Sequence, residues 1–220
     1  SGNSLAYNGH IILNGGTLAV GSANGSGTNK VLGSAGLNVT ESAILTNASS
    51  TTVKLREMEN DISLSDLKNL TINTSGGDLL LKGVIAGGKG DIVKEGANTL
   101  TLSGTNTYEY GTRVKAGSLK LTNQKGAGMG SVLIDSGAAA EVALTAAGTV
   151  ENAITNNGAF LVSGNDTTMS GIISGTGTNT ISGTGVVISG ANTTTGQWTV
   201  TSAGSASYNS NTNFGTSAVE

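Results

Sequence analysis

The densest group of ionisable side chains in the sequence lies between residues 54 and 68. Its members mix both charges and form a candidate partner-contact face: Lys54, Arg56, Glu57, Glu59, Asp61, Asp66 and Lys68. On a strand, Glu57, Glu59 and Asp61 would share one side, because successive side chains point to opposite faces. The simplest interpretation is a solvated, charge-balanced surface. Paired carboxylates are also the catalytic groups of glycosidases, so a glycan-cleaving site is the alternative to a contact surface.

Other catalytic and metal-binding chemistry has few residues to draw on. His10 is the only histidine, cysteine is absent, and the sequence contains no G-x-S-x-G motif. A serine triad needs a histidine base, and structural zinc sites use histidine and thiolate ligands. We therefore expect His10 to be a solvated surface residue, and we predict no enzyme activity, no metal site and no cofactor.

A glycine-rich run at residues 83–91 resembles three short binding motifs. Gly83–Lys89 has the spacing of a phosphate-binding loop, but that loop continues with Ser or Thr and a helix, whereas Gly90 follows here. Lys89-Gly90-Asp91 resembles an integrin-binding tripeptide, and residues 87–91 resemble part of a calcium-binding nonapeptide repeat without its tandem copies. We do not interpret any of the three as a site.

The composition predicts a folded chain with a core of small and branched side chains. Gly, Ser, Thr and Asn make up about half of the 220 residues, and hydrophobic residues still reach 36%. Disordered chains combine low hydrophobicity with high net charge, whereas the net charge here is −3.

The 11 Lys and Arg residues all lie at or before Lys125 and form no basic cluster of the kind that nucleic-acid binding requires. No apolar run is long enough to span a bilayer, so we expect neither nucleic-acid binding nor membrane insertion by this segment.

Short runs of alternating apolar and polar residues recur along the chain. They include Gly36–Val39, Val53–Leu55, Leu70–Ile72, Leu100–Leu102, Leu119–Leu121 and Trp198–Val200. An apolar residue at every second position predicts a strand with one buried face, and the Gly, Asn, Asp and Ser residues between runs predict turns. The only helix candidates, Lys54–Asn60 and Ser65–Asn69, are too short to be stable alone. The sequence therefore predicts an all-β fold.

A regular interval between the runs favours a solenoid over a barrel or sandwich. Several leucine pairs are 19 residues apart, namely Leu81 and Leu100, Leu100 and Leu119, and Leu102 and Leu121. This interval predicts one parallel β-helix over residues 1–220, with about 20 residues per coil and roughly eleven coils. Proline would remove a ladder hydrogen bond from almost any strand, which agrees with its absence from the sequence.

Two short stretches of sequence occur twice. Leu100–Thr107 (LTLSGTNT) is similar to Val186–Thr193 (VVISGANT), and Ile173–Gly177 (ISGTG) recurs unchanged as Ile181–Gly185. Both pairs keep their phase with the strand pattern. We therefore interpret them as internal repeats.

The segment 90–121 resembles a known repeat family. It contains LTLSGTNTY at 100–108 and VKAGSL at 114–119, which match the family's L-x-L-S-G-x-N-x-Y followed by V-x-x-G-x-L. The segment is thus similar to the passenger-associated transport repeat, also called the autotransporter-associated β-strand repeat. Tyr108 and Tyr110 are further candidates for partner contact, but Tyr108 occupies a repeat position and we expect it to be structural.

The resemblance implies a segment of the secreted passenger of a bacterial autotransporter, folded as a right-handed parallel β-helix at the cell surface. Such passengers are exported through the outer membrane by a C-terminal translocator barrel, which this chain lacks, so we expect a fragment of a longer passenger. The repeat itself implies a role in folding during secretion and in extending a stalk. We predict a non-enzymatic stalk or adhesin that contacts host-cell surfaces, matrix molecules or itself. A polysaccharide-cleaving enzyme and a toxin segment are the alternatives.

Overall fold

The chain folds into strands and turns that wind around one axis. The computed structural model describes residues 9–20, 32–47, 55–208 and 214–216, which contain no helix. None of these residues therefore belongs to a helix that could span a membrane. Each strand pairs in parallel with the equivalent strand of the next coil, as β11 (Thr99–Leu102) does with β13 (Ser118–Leu121). The result is a parallel β-helix of about eight turns with roughly 21 residues per turn, which confirms the predicted all-β solenoid.

Four parallel sheets form the walls of the tube. Sheet A has four strands, in the order β1 (Ile11–Asn14), β3 (Leu37–Glu41), β6 (Ile62–Leu64) and β9 (Ile85–Gly87). Sheet B has eight, in the order β2 (Thr17–Val20), β4 (Ala43–Asn47), β7 (Leu70–Asn73), β10 (Asp91–Glu95), β12 (Gly111–Val114), β14 (Ser131–Ile134), β17 (Ile154–Asn156) and β20 (Ile173–Ser174).

The remaining strands form two further sheets. Sheet C is the third wall of the tube, and sheet D continues the wall that sheet A begins. Sheet C has eight strands, in the order β5 (Arg56–Met58), β8 (Leu79–Leu81), β11, β13, β15 (Ala139–Val142), β18 (Ala159–Val162), β21 (Thr178–Ile181) and β23 (Trp198–Val200). Sheet D has four, in the order β16 (Gly148–Val150), β19 (Thr167–Met169), β22 (Val186–Ile188) and β24 (Ala206–Tyr208). Sheets A and D take the same place in the coil, between a strand of sheet C and the next strand of sheet B.

The first wall is interrupted near the middle of the molecule. Sheet A ends at β9 and sheet D begins at β16. In the two coils between them, residues 103–110 and 122–130 form turns and irregular backbone instead of strands. The interruption therefore begins within the segment that resembles the transport repeat, at residues 103–110, and continues just beyond it, at residues 122–130.

Aliphatic side chains stack in ladders inside the tube. One inward row of sheet C is formed by Met58, Leu81, Leu102, Leu121, Val142, Val162, Ile181 and Val200. All but Val200 are buried, and each fully buried aliphatic side chain stabilises the fold by about 1.5–3 kcal/mol. The predicted pairing of Leu102 with Leu121 is confirmed.

The predicted interval was right for some coils and wrong for others. Leu100 and Leu119 are register partners 19 residues apart, but Leu81 pairs with Leu102 and not with Leu100. The first described coil is longer, since Ile11 pairs with Leu37. Corners differ in length while strands stay short. The described residues therefore form about eight turns, and the estimate of roughly eleven was wrong.

One predicted strand is out of register. The run Val53–Leu55 was expected to bury its apolar residues, but Leu55 is 45% exposed, while Arg56 and Met58 of β5 point inward with 6% and 0% exposure. Val53 lies outside the described residues. A shift of one residue in register exchanges the two faces of a strand. The residues that point inward are therefore those of β5, and Met58 lies in the ladder of sheet C.

The two copies of the S-G-x-N sequence form equivalent corners on different walls. After β11, the Asn106 Oδ1 accepts a hydrogen bond from the Ile85 backbone N–H of the preceding coil at 2.8 Å. After β22, the Asn192 Oδ1 accepts one from the Ile173 N–H at 2.6 Å. Both asparagines are buried. The repeated sequence is therefore a corner in which an inward amide satisfies a backbone group of the neighbouring coil.

Candidate functional site

The predicted contact segment spreads around one coil and does not form a single face. Arg56 and Glu57 lie in β5 on sheet C, and Asp61 precedes the sheet A strand β6. Asp66 and Lys68 follow that strand, at the corner that leads into sheet B. Lys54 lies outside the described residues. The structure therefore separates residues that the sequence pattern grouped together.

Two of the predicted carboxylates are brought together by a lysine of the next coil. The Lys82 Nζ lies 2.7 Å from Glu57 Oε2 and 3.8 Å from Glu59 Oε1. The hydrogen bond that the Lys82 ammonium donates to Glu57 raises the pKa of Lys82. The charges of both glutamates add to that shift, and desolvation by burial opposes it. The paired carboxylates are therefore held by a cation from the adjacent coil.

The other charged residues of the segment also contact neighbouring coils. The Asp61 Oδ1 accepts a hydrogen bond from the Val84 N–H at 2.8 Å, and the Asp66 Oδ1 accepts one from the Lys89 N–H at 3.1 Å. Lys68 forms an ion pair with Glu41 at 2.7 Å. These groups join successive coils, and their role in contact with a partner stays a prediction.

Arg56 belongs to the interior of the tube. It pairs in register with Leu79, within a row of sheet C that continues through Leu100 and Leu119. Its Nη1 donates to the Leu55 carbonyl at 3.4 Å. The alternation of Arg56 with buried Met58 was the available signal for this placement, and Arg56 cannot take part in an outward contact face.

The short motifs considered from the sequence fall on ordinary parts of the coil. His10 is exposed. The phosphate-loop spacing at 83–89 includes strand β9, and Asp91 of the Lys89-Gly90-Asp91 tripeptide begins strand β10. Burial raises the pKa of the Asp91 carboxyl. Within the described part of the chain, no group of three or more His, Asp or Glu residues is arranged to hold a metal ion.

A buried lysine closes the corner after strand β10. Lys94 is fully buried, and its Nζ donates to the carbonyls of Glu95 at 3.0 Å, Gly96 at 2.7 Å and Ala116 at 2.8 Å. The Ala116 carbonyl belongs to the next coil. An ammonium group has three donors, so all three are used. Lys94 therefore connects the corner of its own coil to the corner of the following one.

Burial sets the protonation behaviour of this lysine. Desolvation lowers the pKa of the Lys94 ammonium to about 8, although the nearby charges of Asp78 and Glu95 act to raise it. Lys94 was not among the residues predicted to have a special role. The signal was present, because period-two alternation places Lys94 on the same inward face as Ile92.

A buried tyrosine fills the interrupted wall. Tyr108 is fully buried, and its hydroxyl lies 2.6 Å from the Thr112 Oγ1. Burial raises the pKa of this phenol well above its usual value. Gly128 packs against it with φ +69°, where a Cβ would lie 2.8 Å from the Tyr108 ring. The expectation that Tyr108 is structural agrees with this burial, while Tyr110 is 49% exposed.

These features define a parallel β-helix whose central coils have specialised corners. Residues 92–121 match the family model described as the Passenger-associated-transport-repeat. The matched residues include Lys94, Tyr108 and Thr112, so the buried contacts belong to the repeat. The repeat and the β-helix together support an autotransporter passenger segment. No curated protein and no solved structure matches the chain.

Proposed function

We propose that the chain is a non-enzymatic, surface-exposed segment of an autotransporter passenger that acts as a stalk, an adhesin or both. The observation that carries the proposal is the transport repeat at 92–121, set within a continuous stack of coils. Its strands β10, β11, β12 and β13 pair with coils on both sides. A repeat that is stacked in this way extends the rod without interrupting it.

The charges on the outside of the repeat also support a rod. Four ion pairs connect a coil to its neighbour, namely Lys115–Glu95, Arg113–Asp135, Lys120–Glu141 and Lys125–Glu151, with N···O distances of 2.6–3.1 Å. Each exposed pair contributes only about 0–1 kcal/mol. Together they balance the surface charge of the coils on either side of Lys125, after which every charged residue of the chain is acidic.

The proposed location is the outside of a bacterial cell, because transport repeats are associated with exported passengers. The proposed partners are host-cell surfaces, matrix molecules or further copies of the chain. In the parent protein, the translocator barrel would be an additional partner.

Adhesion is tested with fluorescent beads coated with the chain and imaged alone, on matrix proteins and on cultured host cells. We expect beads to bind cells or matrix, or to cluster. Beads coated with Glu57→Gln/Glu59→Gln protein are the matched control for the predicted contact segment. Beads that stay dispersed and unbound would remove the adhesin role and leave the stalk.

A glycan-cleaving enzyme is the second candidate, because Glu57 and Glu59 both contact Lys82. It is tested by release of reducing ends from bacterial and host polysaccharides. We expect none. Activity that is present in the native chain and lost on Glu57→Gln or Glu59→Gln would overturn the non-enzymatic proposal.

A further inference from the structure

Four exposed side chains occupy successive coils at the corner that leads into sheet B. In order along the axis they are Leu67, Lys89, Glu109 and Met129, and we call them the corner row. Three residues after each of them comes a residue of sheet B. These four sheet B residues pair in register from coil to coil, and they are Leu70, Ile92, Thr112 and Val132. The corner row therefore runs parallel to the axis, with neighbours about 4.8 Å apart.

The two ends of the corner row are apolar. Leu67 is 66% exposed and Met129 is 68% exposed. Leu67 also has a φ of 60°, a left-handed conformation that costs a residue with a Cβ about 1–2 kcal/mol. Its N–H donates to the Lys89 carbonyl at 2.8 Å, which holds the strained backbone in place. Such strain is found at functional surfaces, and here it accompanies a leucine side chain in solvent.

The two central members of the corner row are charged and opposite in sign. Lys89 and Glu109 are both exposed, and neither forms an ion pair with another residue in the described ranges. The nearby cations Lys68 and Lys125, by contrast, are paired with glutamates of adjacent coils. The corner row thus presents two charges that remain available to a partner.

The order apolar, basic, acidic, apolar is complementary to its own reverse. We infer that the corner row binds a second copy of the chain, packed antiparallel about a two-fold axis between Lys89 and Glu109. The two-fold axis places Leu67 opposite Met129 of the second copy and Lys89 opposite Glu109 of the second copy. Each contact occurs twice, as in any isologous interface. An in-register parallel arrangement would place like charges opposite each other.

One residue beside the corner row is also exposed. Tyr110 follows Glu109 and is 49% exposed, so its ring adds apolar surface next to the two charged members of the row.

The corner row spans only four coils, or about 15 Å. An interface of this length buries less area than the roughly 1,200 Å² of a stable complex, so the contact is weak and reversible between isolated chains. Many copies on facing surfaces would strengthen it through avidity. This consequence rests on the proposed function as a surface module, whereas the contact itself is testable in solution.

The test is sedimentation velocity over a concentration series that reaches millimolar protein. We expect the native chain to dimerise with increasing concentration. Lys89→Glu and Glu109→Lys should each weaken dimerisation by at least about tenfold, because each places two like-charge pairs in the interface. A 1:1 mixture of these two variants should dimerise again, since both ion pairs are restored in the mixed dimer. Lys115→Glu, with the same charge change on another corner, should behave like the native chain.

Circular dichroism melts confirm that each variant is folded before it is compared. A native chain that stays monomeric throughout the series, a Lys89→Glu variant that dimerises as well as the native chain, or a mixture that does not recover would each overturn the inference. The bead assay separates this failure from failure of the proposed function. Beads that bind host cells while the chain stays monomeric in solution would refute the corner-row contact alone.

Discussion

The inner corner between sheets B and C is built differently in the transport repeat and in the later coils. Lys94 and Asn156 occupy the same inward row of sheet B, three coils apart, connected through Val114 and Ile134. In the repeat, the Lys94 ammonium donates to three carbonyls. In the later coil, the Asn156 Nδ2 donates to the Thr178 carbonyl at 2.9 Å and to the Asn179 side chain at 3.1 Å.

Both side chains supply hydrogen-bond donors to carbonyls that are buried at the corners of the tube and need such partners. The two donors differ in the free energy that desolvation costs. A neutral amide can be stacked from coil to coil, whereas an ammonium must be desolvated when it is buried. The comparison teaches that corners of similar shape can respond differently to pH and to mutation.

The largest expected effect comes from removal of the buried ammonium. Lys94→Ala leaves the carbonyls of Glu95, Gly96 and Ala116 without their donor and creates a cavity. We expect the free energy of unfolding to fall by about 3–5 kcal/mol, measured by chemical denaturation. Lys115→Ala, which removes an exposed ion pair with Glu95, is the control and should cost less than about 1 kcal/mol. Equal effects of the two substitutions would show that Lys94 is not the corner donor.

The corresponding change in the later coils should be smaller. Asn156→Ala removes neutral hydrogen bonds to Thr178 and Asn179, for which we expect a loss of about 1–3 kcal/mol. The measurement is again chemical denaturation. A loss as large as that of Lys94→Ala would contradict the distinction between the charged and neutral corners.

The pH dependence of stability should also distinguish the Lys94 corner from the Asn156 corner. In the folded chain the pKa of Lys94 is about 8, below its usual 10.5, so between these values the unfolded chain binds more protons. Stability should therefore rise as the pH increases from about 8 towards 10, by up to about 1 kcal/mol per pH unit. The raised pKa of Tyr108 acts in the opposite direction only above about pH 10, where the unfolded chain loses the phenol proton first.

The pH effect is measured by denaturation at several pH values in the native chain, Lys94→Met and Asn156→Ala. The rise should disappear in Lys94→Met and persist in Asn156→Ala. A native chain whose stability stays flat over this range would mean that the ammonium is not desolvated as described.

The smallest of the expected changes concerns the interrupted wall. Tyr108→Phe keeps the ring that fills the gap between sheets A and D and removes only the hydroxyl next to Thr112. We expect a loss of about 1 kcal/mol, seen as a small decrease in Tm. A loss of several kcal/mol would indicate that the hydroxyl, and not the ring, holds this part of the wall.

The strands of this molecule were predictable from sequence, because alternation alone determines which side chains enter the tube. Leu100 and Leu102 were placed inward and paired with Leu119 and Leu121 as the structure has them. The repeat was also recognisable, since its spacing of Ser, Gly, Asn and Tyr is distinctive.

The corners were less predictable, because their length and hydrogen bonds depend on the neighbouring coil. The number of turns was wrong for this reason. The charged segment was interpreted as one outward face, although Arg56 is buried and Asp61 and Asp66 accept backbone hydrogen bonds from the next coil. Such contacts link residues more than 20 positions apart, and no local pattern contains them.

The most direct test of the account measures whether the repeat and the later coils stack as one helix. Thr101 and Thr180 belong to one outward row of sheet C and are connected in register through Lys120, Glu141 and Leu161. Four coil spacings separate them, or about 19 Å. With nitroxides at Thr101→Cys and Thr180→Cys, which are unique thiols in a chain without cysteine, we expect a single narrow spin–spin distance near 20 Å. A broad distribution, or a distance beyond about 35 Å, would contradict a continuous parallel β-helix.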